Sequence, residues 1–299
     1  MRIAFIGCVD LSYSILDYLL GLRIPSAEVV GVVTKQHSNF NADHRSLESL
    51  AAKSGIACYF ATGNDQELMA DYLLDLAPEV VFCFGWSFLL KENILKIPTL
   101  GVIGYHPAAL PRNRGRHPLI WALVLGLKET ASTFFFMDEG ADSGDILDQK
   151  VISIEEADDA GSLYKKVTST AKQQVAEFVP KLIDGTYTRI PQDHSKANYW
   201  RKRGKNDGAI DWRISSRGIH NIVRGLTRPY VGAHCYFKGK EIRIWKTKLV
   251  QTEDGYLDNI EPGKVLKSDV DGIIVKCGEG VIELLEHEFK EMPGEGSYL

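Results

Sequence analysis

Short apolar runs alternate with amphipathic segments over roughly the first 185 residues. Several runs are apolar at nearly every position, which is typical of strands buried on both faces of a parallel sheet. The segments between them carry apolar residues at helical spacing. The predicted strands are residues 2–6, 29–34, 56–60, 79–84, 102–106, 131–137 and 146–154, and the predicted helices are residues 13–22, 46–55, 65–76, 118–126 and 162–184. This alternation predicts an α/β domain that begins β-α-β.

The pattern changes after about residue 200. One helix is predicted over residues 216–226, and short alternating strands follow at residues 233–237, 241–250, 263–267, 272–277 and 280–286. These strands predict a small OB-like β-barrel. Residues 185–199 carry Pro191 and mixed polar side chains, and we interpret them as a linker. We therefore expect a first domain with its linker at residues 1–198 and a smaller β-rich domain at residues 199–299.

Composition limits the class of protein. The chain of 299 residues is 44% hydrophobic and 25% charged, as expected for a globular protein long enough for two domains. A net charge of −4 provides no global field that favours nucleic acid. Five cysteines without a CxxC pair indicate a reducing cytosol. Neither a signal pattern nor an apolar run of about 18 residues is present, so we expect a cytoplasmic protein with no membrane contact.

A single histidine ends the predicted strand at residues 102–106, and Pro107 and Pro111 then hold the chain extended. Ligands bind at strand ends in open α/β sheets, and a histidine there can take a proton near neutral pH. His106 is therefore a candidate general base. The alternative is that it merely caps a turn.

Several loops carry other candidate chemistry. The loop at residues 7–12 has one glycine where a dinucleotide fingerprint needs three, which argues against a nicotinamide or flavin cofactor. The acidic, glycine-bearing loop at residues 138–146 either approaches a ligand closely or forms a turn. The polar loop at residues 36–45 is either solvated or a binding flap, and the basic cluster at residues 201–205 is either a solvated linker or a phosphate site. No spacing of His, Cys and acidic residues predicts a metal site.

Motifs in both predicted domains resemble the formyltetrahydrofolate-dependent formyltransferase superfamily. In the first domain they are Tyr105-His106-Pro107-Ala108-Ala109-Leu110-Pro111-Arg112-Asn113-Arg114-Gly115 and Ala141-Asp142-Ser143-Gly144-Asp145-Ile146. In the second domain they are Ile210-Asp211-Trp212, His220-Asn221-Ile222-Val223-Arg224 and Arg228-Pro229-Tyr230-Val231-Gly232-Ala233. The resemblance implies a Rossmann-like first domain. Residues 114–123 look most like the branch that formylates amino sugars carried on nucleotides, and methionyl-tRNA formyltransferases form another branch.

The resemblance also implies roles for particular residues. His106 and Asp142 correspond to the family's base and to the carboxylate that orients it. The loop at residues 84–89 corresponds to the segment that binds the pterin of N10-formyltetrahydrofolate, the formyl donor. The implied donor-binding residues are Phe84, Gly85, Trp86, Phe88, Leu89, Asp138 and Gly140.

The arginines that follow the base are the expected contacts to the acceptor. A nucleotide sugar brings a diphosphate, which needs cationic or amide donors. Arg112, Asn113 and Arg114 are the expected substrate-binding residues, and Arg116 lies close by in sequence. The alternative is that this stretch is a solvated loop.

One position departs from the family pattern. Gly104 lies two residues before the histidine, where the family has an asparagine whose amide binds the developing oxyanion. Preorganised donors of this kind are worth about 2.7–4 kcal/mol, so another group should supply the interaction or the rate should be low. Asn113 is a candidate, although a turn role is the alternative. We expect Gly104→Asn to raise kcat, provided that the side chain fits.

The required chemistry fits these residues. Formyl transfer from a folate nitrogen to an amine needs a base for the amine, a donor for the oxyanion and an acid for the leaving nitrogen, and one histidine beside a carboxylate serves as base and acid. We expect an N-formyltransferase that acts on a nucleotide-linked amino sugar. The alternatives are a methionyl-tRNA formyltransferase, against which the net charge argues, and a weakly active folate-binding protein or formyl-folate hydrolase. Homo-oligomerisation is left open.

Overall fold

The computed structural model describes residues 1–38, 41–251, 257, 259–269 and 272–299. They form two compact units. The first comprises residues 1–118, 130–152 and 165–201, and the second comprises residues 119–129, 153–164 and 202–299. Two segments from within residues 1–198 therefore group with the β-rich unit. Residues 39 and 40 of the predicted polar loop at residues 36–45 lie outside the described residues.

The chain as far as residue 201 is an α/β structure. Its strands are β1 (Arg2–Ile6), β2 (Glu28–Thr34), β3 (Cys58–Phe60), β4 (Val80–Cys83), β5 (Gly101–His106), β6 (Arg114–Gly115), β7 (Glu129–Phe136), β8 (Ile146–Ser153) and β9 (Tyr199–Trp200). Its helices are α1 (Asp10–Leu22), α2 (Glu48–Lys53), α3 (Glu67–Leu76), α4 (Glu92–Leu95), α5 (Pro118–Val124) and α6 (Ala160–Asp184). Every strand and helix predicted in this part of the chain is present, with ends that differ by a few residues.

Seven of these strands form one mixed sheet in the order β3-β2-β1-β4-β5-β7-β8. Strands β1 to β5 are parallel, whereas β7 runs antiparallel to β5 and pairs Thr133 with His106. The α/β fold class is confirmed. The reversal at β7 was not predicted, because an apolar run that is buried on both faces does not encode the direction of the strand.

The interpretation of residues 185–199 as a linker is wrong. Strand β9 pairs in parallel with β6, which joins Tyr199 to Arg114, and Ile190 forms a β-bridge with Ile146. The polar side chains that suggested a linker instead make hydrogen bonds within the first unit. This returning segment, residues 190–200, therefore belongs to the structure that holds the loops after β5 and β7.

The second unit contains a five-stranded antiparallel half-barrel and one helix. The strands are β10 (Ala233–Phe237), β11 (Lys240–Val250), β12 (Val265–Ser268), β13 (Ile273–Lys276) and β14 (Val281–His287), and the helix is α7 (Ser216–Leu226). The Ser215 side chain caps this helix by accepting from the backbone N–H of Gly218 at 3.1 Å. Ile219 and Val223 of α7 join the buried core of the unit. The predicted β-rich second domain is confirmed.

Candidate active site

His106 is the last residue of β5 and is only 4% exposed. Its Nε2 lies 2.7 Å from the backbone oxygen of Asn113. A carbonyl oxygen only accepts, so Nε2 carries the proton in this contact. Nδ1 of the neutral ring then has the free lone pair, and it lies 3.6 Å from Oδ2 of Asp142. The structure therefore brings the predicted pair together and makes Nδ1 the nitrogen that can take a proton.

Asp142 is held by its backbone and by its neighbours. It adopts the left-handed region at φ +56°, and its Oδ2 accepts from the backbone N–H of Gly115 at 2.8 Å. Two residues on, a Cβ at Gly144 would lie 1.8 Å from the backbone oxygen of Phe136, so only glycine fits there. The acidic loop is thus a tight turn against β7 that aims the Asp142 carboxylate at His106.

Gln192, which the sequence analysis missed, braces both halves of the site. It is 6% exposed, and its Nε2 donates to the backbone oxygens of Asp142 at 3.0 Å and Gly144 at 2.6 Å. Its Oε1 accepts from Nε and Nη2 of Arg114 at 3.2 and 2.6 Å. Gln192 therefore ties the loop after β7 to the loop after β5. No signal in the sequence marked it, since it lies among the polar residues of the supposed linker.

Arg114, which we expected to bind the substrate, has its side chain enclosed within the first unit. It is 1% exposed, and besides Gln192 its guanidinium bonds the hydroxyl of Tyr199 at 3.0 Å and contacts Nδ1 of His194 at 3.2 Å. A guanidinium enclosed in this way holds the returning segment, and its contact with a substrate phosphate stays an untested prediction. Arg112, by contrast, is exposed, and its contact to substrate stays a prediction.

We expect Arg114→Ala to lower the free energy of unfolding by about 1.5–3 kcal/mol, because hydrogen bonds to a buried charged group are lost and Gln192 keeps a buried acceptor without its donor. Urea denaturation followed by circular dichroism measures this change. The matched control is Arg112→Ala, which removes an exposed side chain and should change the free energy by less than about 0.5 kcal/mol. Equal stability of the two variants would contradict the structural role of Arg114.

Asn113 acts through its backbone. It takes φ +64°, its carbonyl accepts from His106, and its N–H donates to Oδ1 of Asn198 at 2.9 Å. Arg116 is half-buried, and its Nη1 donates to the backbone oxygen of Ser87 at 2.8 Å. Burial lowers the pKa of Arg116, while the nearby Asp142 carboxylate opposes this. Arg116 therefore connects the loop at residues 84–89 to the surroundings of the candidate base.

The loop at residues 84–89 divides into core and surface. Phe84 is 0% exposed and packs its ring against Phe5, Phe82, Tyr105 and Phe134, so its side chain belongs to the core, and contact of its backbone with the donor stays a prediction. Gly85, Trp86 and Phe88 are half-buried, and Leu89 is exposed. Gln66, 2% exposed, fixes the end of the loop by donating to the backbone oxygen of Leu89 at 2.8 Å.

Asp138 and Gly140 form the other predicted part of the donor site. Oδ1 of Asp138 accepts from the N–H of Gly140 at 3.0 Å and from the hydroxyl of Ser143 at 2.5 Å. The side chain therefore closes its own turn, and contact with the donor stays a prediction.

Burial raises the pKa of the Cys8 thiol, which faces the oxygen of Gly85, to about 11, so Cys8 is no nucleophile at neutral pH.

At Gly104, where the family has an asparagine, neighbouring side chains occupy the space that an asparagine side chain would need. A Cβ at Gly104 would lie 2.8 Å from both Cζ of Phe135 and Cγ of Met137. Phe135 is buried together with Leu110 and Ile146, and Met137 packs against this cluster. Because these apolar side chains occupy the space beside Gly104, the glycine belongs to the packing of this region.

Two kinds of feature are absent from the described residues. No three His, Cys, Asp or Glu side chains among them come together as a group that could hold a metal ion. None of the described helices has the length and apolar content that crossing a bilayer requires.

Both units match one family. The family model described as Formyl transferase matches residues 1–179, and that described as Formyl transferase, C-terminal domain, matches residues 202–296. The chain belongs to the formyl transferase family. It is an enzyme of this family, and the formyl donor is formyltetrahydrofolate.

Several relatives are similar over nearly the whole chain. The methionyl-tRNA formyltransferase of Caldanaerobacter subterraneus is 34% identical over 96% of this chain and 91% of its own length. The bifunctional polymyxin resistance protein ArnA of Wigglesworthia glossinidia brevipalpis is 31% identical over 97% of this chain but only 43% of its own length.

Solved structures share the fold. The N-formyltransferase from Helicobacter canadensis, in complex with folinic acid and dTDP-3-aminofucose, has a TM-score of 0.72 at 18% identity, covering 95% of this chain and 99% of that one. The methionyl-tRNA formyltransferase from Clostridium thermocellum has a TM-score of 0.63 at 15% identity, covering 84% and 94%. At these identities the likeness concerns the fold alone.

Proposed function

We propose that His106 and Asp142 form the proton-transfer pair of this formyltransferase. The observation that carries the proposal is the pairing of Nδ1 with the Asp142 carboxylate at 3.6 Å while Nε2 is held by the Asn113 carbonyl. The carboxylate stabilises the imidazolium that forms when Nδ1 takes a proton. Catalytic hydrogen bonds often tighten only in the complex with substrate, so the distance is compatible with this role.

The reaction balances without a nucleophilic side chain. The acceptor nitrogen bonds to the formyl carbon and passes one proton to Nδ1 of His106. The bond from that carbon to N10 of the folate then breaks, and the proton moves from His106 to N10. Trp86, Phe88 and Leu89, together with the turn at Asp138 and Gly140, are the residues to which we assign binding of the folate.

The acceptor that the relatives support best is the amino group of methionine attached to tRNA. Methionyl-tRNA formyltransferases match this chain at 31–34% identity over at least 96% of its length and at least 91% of theirs. This support outweighs the resemblance of residues 114–123 to the sugar branch, which was our first expectation. Arg114, one of the residues that suggested a diphosphate, is also enclosed within the first unit.

A nucleotide-linked amino sugar is the second candidate, and the distribution of charge favours it. The chain carries a net charge of −4, and many cations of the second unit are paired with acids, such as Arg228 with Glu286 and Lys238 with Glu291. A protein that binds tRNA normally presents a basic surface, because phosphate contacts dominate its affinity. The exposed Arg112 is then the residue that would meet the diphosphate.

The test is formyl transfer from N10-formyltetrahydrofolate to three kinds of acceptor, measured as release of tetrahydrofolate. These are charged initiator methionyl-tRNA, a panel of nucleotide-linked amino sugars, and no acceptor. N-acetylmethionyl-tRNA, which lacks the free amine, is the matched control. We expect turnover with methionyl-tRNA and not with the control. Turnover only with a sugar would establish the second candidate, turnover without acceptor a hydrolase, and binding without turnover a folate-binding protein.

A further inference from the structure

Lys35 is a buried cation without an acidic partner. It directly follows β2 and is 8% exposed. In the described part of the chain, no carboxylate forms an ion pair with Lys35 and no acceptor takes a hydrogen bond from its Nζ. Lysines are almost never buried to this degree unless they are paired. Most of the side chain is therefore enclosed, while its charge has no acidic partner among the described residues.

Two aromatic rings of the loop at residues 84–89 lie against the Lys35 ammonium. Nζ lies 4.3 Å from the ring centroid of Phe88 and 5.2 Å from that of Trp86. Ring faces attract an ammonium, but they do not replace acceptors for its three N–H groups. The rings fix the direction of the ammonium and leave its donors to a further group.

A second donor beside it is also unsatisfied. The indole Nε1 of Trp86 is buried and has no hydrogen-bond partner among the described residues. Buried polar atoms are nearly always bonded, so each exception calls for an explanation. An N–H and an ammonium at adjoining positions are complementary to an anion that has at least two acceptor oxygens.

Both donors lie at the carboxyl-terminal edge of the parallel strands, where ligands bind in open α/β sheets. Lys35 follows β2 and Trp86 follows β4, so both lie at the carboxyl ends of parallel strands, as does His106 at the end of β5. The loop after β2 is held against the loop after β4, because Nδ2 of Asn41 donates to the hydroxyl of Ser87 at 2.9 Å. Three strand spacings separate β2 from β5 in the order β2-β1-β4-β5, so the ends of these two strands lie about 14 Å apart.

We propose that Lys35 and Nε1 of Trp86 bind an anionic group, a carboxylate or a phosphate, of one of the two substrates. The assignment rests on the proposed function, because it takes the substrates to be a formyl folate and an acceptor carried on a phosphate-bearing molecule. The folate offers the carboxylates of its glutamate, and the acceptor offers a phosphate. Because the group lies far from the formyl carbon, its loss weakens binding and leaves the chemical step nearly unchanged.

The test compares Lys35→Met, which keeps the chain over the rings but removes the charge, with Lys35→Arg, Trp86→Phe and the matched control Lys53→Met, an exposed lysine at the end of α2. Binding of 5-formyltetrahydrofolate is followed by isothermal titration, with 5-formyltetrahydropteroate, which lacks the glutamate, alongside. KM of the acceptor is measured with and without inorganic pyrophosphate as a competitor. The thermal midpoint reports folding.

We expect Lys35→Met to weaken one of these interactions by about 10-fold or more, Trp86→Phe by less, and Lys35→Arg and Lys53→Met by under about 2-fold. A larger Kd for the folate, with no change for the pteroate, assigns the carboxylate. A larger acceptor KM that pyrophosphate no longer raises assigns the phosphate. If Lys35→Met alters only the thermal midpoint, the lysine is structural and the proposal fails.

Folding and acceptor identity do not confound this result. If Lys35→Met does not fold, Trp86→Phe decides, and unchanged folate affinity and acceptor KM in that variant overturn the proposal. If neither tRNA nor sugar is formylated, the proposed function fails, while the folate titration and the binding of pyrophosphate to the free enzyme still test the anion site. If Lys35→Met then binds both the folate and pyrophosphate with unchanged Kd, the anion site is rejected independently of the proposed function.

Discussion

His106→Ala should reduce kcat by about 10²–10⁴-fold, which is the range that general acid–base catalysis contributes. Nδ1 of His106 faces the Asp142 carboxylate. In the proposed reaction this nitrogen takes the proton from the acceptor amine and later delivers it to N10 of the folate. KM of the folate should change little, since the loop at residues 84–89 does not depend on the imidazole. Steady-state rates with saturating formyl donor measure this effect.

Two further variants sharpen the result. Asp142→Asn should be comparably damaging, because a neutral amide does not stabilise the imidazolium that forms when Nδ1 takes a proton. His287→Gln, in β14 of the second unit, is the control and should retain normal kcat. If His106→Ala keeps more than about a tenth of the wild-type kcat while remaining folded, His106 is not the base.

Gly104→Asn, which we first expected to raise kcat, should instead destabilise the protein and lower the rate. The new Cβ would lie 2.8 Å from Phe135 and from Met137, and overpacking of this kind typically costs about 1–3 kcal/mol. The thermal midpoint and kcat of the single variant test this. An unchanged thermal midpoint with a higher kcat in Gly104→Asn would contradict this prediction and show that Phe135 and Met137 move to accommodate the new side chain.

The double variant Gly104→Asn with Met137→Ala tests whether an amide at position 104 can bind the oxyanion once space is made for it. Shortening Met137 opens space beside the strand, and an amide that reaches the oxyanion can raise kcat by up to about 10²–10³-fold over Met137→Ala alone. Comparison with that single variant removes the effect of the cavity itself. A double variant no faster than Met137→Ala would mean that another donor already serves the oxyanion, and Arg116, which lies near Asp142 and bonds Ser87, is the next residue to replace.

The α/β core was predictable because several of its strands are apolar at nearly every position and its helices have a clear period. His106 and Asp142 were found through local motifs that are contiguous in sequence. Gln192 and Tyr199 were not, since they lie about 80 residues from Arg114 and nothing local distinguishes a buried polar residue from a solvated one. The burial of Arg114 was missed for the same reason, because its charge suggested a phosphate while its burial depends on those distant partners.

The misjudged glycine has a different cause. At Gly104 the sequence shows only that an amide is absent, whereas the structure shows that Phe135 and Met137 occupy the space beside it. Phe84 likewise belongs to a loop motif yet lies within an aromatic core. In both cases packing between distant strands decides the role of the residue, and periodicity along the chain does not report it.

The pairing of β6 with β9 has a consequence for synthesis of the protein. The base, its carboxylate and the folate loop all precede residue 145, but the residues that brace them emerge from the ribosome only with residues 190–200. A nascent chain that has released the whole seven-stranded sheet therefore still lacks the contacts that residues 190–200 make with the loop after β5. Catalytic competence begins late in translation, and a truncated product ending at α6 should fold its sheet yet remain inert.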